Sequence, residues 1–144
     1  MKVLLVEDDQ YKADKLKDFL ESKFSDDLLV IARSISRAIE AIDESPFKWV
    51  FLDMSLPMYE IGRERPRAFG GKAILQYLNN LDRKESVVVV TQFQTIGEGK
   101  DLVDLTTLQR QLSEEFPVQF RGLIFFSEKS DSWKSDIETL VEDF

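Results

Sequence analysis

Val87-Val88-Val89-Val90-Thr91 sets four β-branched residues in a row before a hydroxyl and is the least ambiguous strand in the chain. An apolar run of this kind, with no polar residue in alternation, belongs to a strand buried on both faces, as in a parallel sheet. Three comparable runs precede it, Val3–Val6, Leu28–Ala32 and Trp49–Leu52, and one follows, Leu123–Phe126. Between them the apolar residues recur at helical spacing. Leu16, Phe19, Leu20 and Phe24 do so within Tyr11–Phe24, and Ala38, Ile39 and Ile42 with Ile35 after a cap at Ser34 or Ser36. Ile74, Leu75, Leu78 and Leu81 follow Gly70-Gly71; Leu105, Leu108, Leu112 and Phe116 make a fourth set, and Trp133, Ile137, Leu140 and Val141 a fifth. Pro46 and Pro117 close the second and fourth helices, and Leu56-Pro57 marks a turn. Five strands alternating with five helices predict an α/β fold, a doubly wound parallel sheet in the order 2-1-3-4-5 with helices on both faces.

The 144 residues suit one domain spanning the whole chain, 1–144. With 19 basic and 27 acidic residues the formal charge is −8, which argues against nucleic acid or an anionic membrane surface as partner. The chain has no cysteine and no histidine, so disulfides, thiolate metal sites and imidazole chemistry are excluded. Carboxylates, hydroxyls, lysines and arginines remain as reactive groups. The apolar run Val3–Val6 is too short for a signal peptide or a membrane span, so a cytoplasmic location is expected.

Ligands of doubly wound sheets gather beyond the carboxyl ends of the strands, where the strand order reverses. Those ends carry Glu7, Asp8 and Asp9 after strand one, Asp53 after strand three, Thr91 after strand four and Lys129 just past strand five. If strands one and three are neighbours, Glu7, Asp8 and Asp53 converge, and a hard divalent cation such as Mg²⁺ relieves their mutual repulsion. An aspartate beside such a cation is a suitable nucleophile for phosphoryl transfer, with Lys129 and Thr91 placed to contact the transferred group. Taken singly, each of these residues also reads as turn or surface, and the acidic cluster equally as a cap for the first helix. The functional reading rests on four of five strand ends carrying what one chemistry needs.

In this ordered set the chain resembles the receiver domains of two-component response regulators, which share a flavodoxin-like fold. The likeness rests on Val3–Val6 with Glu7-Asp8-Asp9, on Phe51-Leu52-Asp53-Met54-Ser55-Leu56-Pro57, on Val87–Val90 with Thr91, and on Phe126-Ser127-Glu128-Lys129. The resemblance implies Asp53 as phosphoacceptor, with Mg²⁺ held by Glu7, Asp8, Asp53 and the Ser55 main-chain carbonyl. It also implies Thr91 as switch hydroxyl, Lys129 as phosphate contact and Phe126 as the aromatic that turns on activation. The expected function is signal transduction without turnover of a separate substrate. The phosphoryl group would come from a histidine kinase or phosphotransfer protein, and a downstream partner would bind the face of helix four, strand five and helix five.

Two residues depart from the family pattern. Gln92 stands where a small residue usually follows the switch threonine, and Ser130 where a proline usually follows the lysine. They support an alternative, a pseudo-receiver that binds partners without being phosphorylated. An aspartate-dependent phosphatase would normally want an acid where Ser55 stands, and a flavin site would want a hydroxyl- and glycine-rich loop in place of Glu7-Asp8-Asp9. The segments Met58–Phe69 and Thr91–Lys129 are longer than the family norm. The first carries Arg63, Arg65 and Arg67 beside Glu60 and Glu64, read as a docking surface, a phosphate contact or a solvated loop. Gly97-Glu98-Gly99-Lys100 reads as a turn.

Overall fold

A computed structural model describes residues 1–60 and 65–143 of the protein. Its elements run β1 (Lys2–Val6), α1 (Gln10–Lys23), β2 (Leu28–Ala32), α2 (Ile35–Glu44), β3 (Trp49–Leu52), α3 (Gly70–Asn80) and β4 (Ser86–Thr91). Then come β5 (Thr95–Ile96), a short 3₁₀ turn at Gly99–Asp101, β6 (Val103–Asp104), α4 (Leu105–Glu115), β7 (Phe120–Phe125) and α5 (Ser132–Glu142). The main sheet is parallel, in the order β2-β1-β3-β4-β7. This is the expected 2-1-3-4-5 arrangement, with β7 as the fifth strand.

β5 and β6 form a two-stranded antiparallel hairpin inside the stretch where the sequence suggests only a turn. Gly97, at φ 92°, turns the chain there in a region that other residues rarely adopt. The fifth strand begins at Phe120, three residues before the apolar run read from the sequence, because Phe120 pairs with Val87 and Gly122 with Val88 across a bulge at Arg121.

The two faces of the sheet bury different side chains, as strand alternation requires. Leu4, Val6, Val50, Leu52, Val87 and Val89 face α2, α3 and α4, where Ile35, Ala38, Ile42, Ile74, Leu75, Leu78, Leu108 and Leu112 complete one core. Val3, Leu5, Trp49, Phe51, Val88, Val90, Ile124 and Phe126 face α1 and α5, closed by Leu16, Leu20, Trp133 and Ile137. The central strands are therefore apolar on both sides, which is why they lack alternation in the sequence.

Side-chain caps start α1 and α2. Asp9 accepts the Lys12 N–H at 3.0 Å to cap α1, and Ser34 accepts the Arg37 N–H at 3.2 Å to cap α2. The capping reading of the acidic cluster thus holds for Asp9. The segment after β3 is pinned on both sides. Ile35 and Ser36 donate to the carbonyls of Pro57 and Met58, and Leu56 and Arg67 exchange backbone hydrogen bonds at 2.9 and 3.1 Å. Of the arginines in that segment, Arg65 and Arg67 are exposed and Arg63 lies outside the described residues.

Candidate functional site

Pairing of Val6 with Leu52 brings the next residues of β1 and β3 side by side. The Glu7 N–H donates to the Ala32 carbonyl at 3.0 Å and the Asp53 N–H to the Val6 carbonyl at 3.2 Å, so both acids are held just past the last rung of the ladder. Glu7, Asp8 and Asp53 each offer a carboxylate oxygen within 4.8 Å of the others. Glu7 is 1 % and Asp53 4 % exposed, whereas Asp8 is half-buried. Burial, with the neighbouring Asp53 and Asp8 adding and Lys12 opposing, pushes the Glu7 carboxyl up to about 8. Burial also raises Asp8 above the usual aspartate range.

A buried lysine that the sequence reading did not single out lies among these acids. Lys12, 1 % exposed, reaches in from the first turn of α1. Its Nζ lies 3.0 Å from Asp53 Oδ2 and 3.1 Å from Glu7 Oε1, and donates to the Val90 carbonyl at 2.7 Å. Glu7 Oε1 takes no hydrogen bond from it; the directed bond goes to Oε2 at 3.5 Å. Asp53 Oδ1 accepts the Met54 N–H at 2.7 Å and, more weakly, the Ser55 N–H at 3.5 Å. Both oxygens of Asp53 are therefore engaged, one by the backbone and one by a side chain.

Thr91 is fully buried at the end of β4, and its Oγ1 accepts the Phe93 N–H at 3.2 Å. Gln92, half-buried, has a buried Oε1 without a hydrogen bond.

The strand-five residues fall differently from the assignment that the resemblance suggests. Thr91 pairs with Phe125, so these two share a face of the sheet, while Phe126 points to the opposite face and packs on Trp133 with ring centroids 5.1 Å apart. Phe125, not Phe126, is thus the aromatic on the Thr91 face, and it is 36 % exposed. Lys129 is exposed, its N–H donates to Ser127 Oγ at 3.2 Å, and its side chain has no hydrogen-bond or ion-pair partner among the described residues. The reason is local. Packing of Phe126 on Trp133 sets the parity of the strand end, and the serine-closed turn that follows carries Lys129 outwards.

The available oxygen donors fit a hard divalent ion. Three carboxylates lie within reach of one another, and Glu7 Oε1 is buried without a hydrogen bond.

The order of the sheet and its helices on both faces are those of the receiver-domain fold. A response regulator of Thermotoga maritima, TrrA, in complex with Mg²⁺ and beryllofluoride, has this fold with a TM-score of 0.63 at 15 % identity, over 96 % of this chain and 97 % of that one. The chain belongs to the same family as the uncharacterised protein y4jR of Sinorhizobium fredii, 31 % identical over 96 % of this chain and 95 % of that one. The Detocs response regulatory protein DtcB of Enterobacter cloacae is 24 % identical over 95 % of each. No family model matches the chain. Among the described residues no helix is long and apolar enough to cross a membrane.

Proposed function

We propose that residues 1–144 act as one receiver domain, accepting a phosphoryl group on Asp53 from the phosphohistidine of a histidine kinase or phosphotransfer protein. The observation that carries this reading is the convergence of Glu7, Asp8 and a buried Asp53 beyond adjacent parallel strands. Glu7, Asp8, Asp53 and the Ser55 carbonyl would hold Mg²⁺, which when bound neutralises charge on the oxygens of the transferred group. The backbone N–H of Met54 orients the Asp53 carboxylate, and the two cores hold β1 and β3 in register beneath it. The regulator complex with Mg²⁺ and beryllofluoride and the response regulatory relative support the reading by analogy.

The test is intact-mass spectrometry after incubation with acetyl phosphate and Mg²⁺. The wild type is expected to gain one phosphoryl group and Asp53→Asn none. The two engaged oxygens and the 4 % exposure of Asp53 favour a second reading, a pseudo-receiver that binds partners unmodified. An unmodified wild type that also fails to bind beryllofluoride selects it.

A hollow of about 380 Å³ between α4 and α5 over β7, lined by Gln109, Arg121, Leu123, Asp136 and Leu140 among others, supports this face as the downstream docking surface. Its coupling to the site runs through Thr91. A phosphoryl group adds roughly −1.5 to −2 charges and strong acceptors, which draws the Thr91 hydroxyl inwards and loosens its bond to Phe93 N–H. Beryllofluoride is therefore expected to shift the amide signals of Thr91, Phe93 and Phe125 in NMR spectra and to leave the ring of Phe126 in place against Trp133. Shifts at Phe126 without any at Phe125 would reverse this assignment.

A further inference from the structure

Lys12 sits where a lysine is costly. Lysines are almost never fully buried unless paired, and a cation in the first turn opposes the helix dipole. An apolar residue there would extend the buried stripe of Ala13, Leu16 and Leu20. The ammonium donates to the Val90 carbonyl and to Glu7 Oε2 and lies 3.0 Å from Asp53 Oδ2 as an ion pair. Lys129 is exposed and has no such contacts among the described residues.

We propose that Lys12 is the cation of the phosphoryl site. It holds Oδ2 while Asp53 is free and transfers to a phosphoryl oxygen once the group is attached, the task that the resemblance gives to Lys129. The inference rests on Asp53 being the phosphoacceptor.

The two oxygens of Asp53 differ in what restrains them. Oδ1 is fixed by backbone N–H groups, whereas Oδ2 meets only the end of a flexible side chain, so Oδ2 is the nucleophile. The new bond from Oδ2 to phosphorus forms as the donor's own bond to phosphorus breaks, P–O in an acyl phosphate or P–N in a phosphohistidine. The electron pair of the broken bond leaves with the donor, and Lys12 keeps its proton throughout. Oδ2 in the resulting acyl phosphate has lost its charge and no longer satisfies the ammonium. The terminal phosphoryl oxygens do, and the Val90 carbonyl and Glu7 keep Lys12 within reach of them.

The experiment pairs a spectrum of the unaltered protein with a set of variants. Side-chain ¹⁵N signals of lysine are recorded with Mg²⁺, before and after beryllofluoride. The Lys12 ammonium is expected to shift and the Lys129 ammonium to stay. Phosphorylation by acetyl phosphate is expected to slow at least about ten-fold in Lys12→Met, to recover in part in Lys12→Arg and to stay close to wild type in Lys129→Met. The spectral comparison needs no variant, so a Lys12→Met protein that fails to fold leaves the test intact. Beryllofluoride binding with an unmoved Lys12 overturns this assignment alone. A wild type that neither binds beryllofluoride nor gains a phosphoryl group overturns the Asp53 reading, and this one with it.

Discussion

Replacing Gly71 with alanine is expected to lower the thermal midpoint by roughly 10 °C, the equivalent of about 3 kcal/mol in a chain of this size. Gly71 is the second residue of α3, and its N–H donates to the Met54 carbonyl at 2.8 Å. A Cβ at this position would lie 2.4 Å from the Asp53 carbonyl oxygen and 2.8 Å from Leu52 Cδ1. The first of these is main chain at the end of a buried strand, so relief requires moving either α3 or the segment that carries Asp53. Alanine gains about 1 kcal/mol over glycine in helix propensity, which does not offset such an overlap. The same displacement alters the bond from Met54 N–H to Asp53 Oδ1, so the amide signal of Met54 is expected to shift with the loss of stability. A midpoint unchanged from wild type would show that α3 can retreat from β3 without strain.

The second large effect is a dependence of stability on pH in a range where this chain has little else to titrate. It has no histidine or cysteine, and the Glu7 carboxyl lies at about 8 against an ordinary value of 4.5. The folded chain therefore keeps a proton that the unfolded chain releases at about 4.5. Between the two values the folded state binds more protons, and stability falls as pH rises, by at most about 1.4 kcal/mol per pH unit. The contribution is fully present below 4.5 and lost by about 8. Mg²⁺ bound beside Glu7 favours the ionised carboxylate and should flatten the slope. Urea midpoints measured from pH 5 to 8 in a chelator are expected to decline, to level with saturating Mg²⁺, and to decline less steeply in Glu7→Gln, where the raised Asp8 carboxyl remains. A flat wild-type profile in the chelator would place the Glu7 proton elsewhere.

Several of the features behind these predictions were legible in the residues. Val87–Val90 reads as a buried strand because only a strand covered on both faces tolerates so continuous an apolar run, and Val3–Val6 and Trp49–Leu52 follow the same logic. The convergence of Glu7, Asp8 and Asp53 was implied once β1 and β3 were taken as neighbours, since parallel strands bring their carboxyl ends together. Gly70-Gly71 announced a helix start. Its actual reason, close approach to Leu56 and Asp53, is a matter of tertiary packing.

Lys12 shows where sequence reasoning stopped. It stands four residues before Leu16 and eight before Leu20, on the buried stripe of α1, but a lysine is ordinarily read as the solvated side of a helix. Only the fold shows that this stripe, at its amino-terminal end, meets carboxylates instead of apolar side chains. Phe125 and Phe126 pose a similar problem. Adjacent aromatics in a strand face opposite sides, and the choice between them is made by pairing with Thr91 and packing on Trp133, both remote in sequence.

The sequence by itself determined the five strands of the main sheet, the five helices and the set of acids at the strand ends, because hydrophobic periodicity and capping are local. The tertiary structure alone decided which cation meets Asp53 and which aromatic shares the face of Thr91, because both depend on strand register and on packing between elements far apart along the chain.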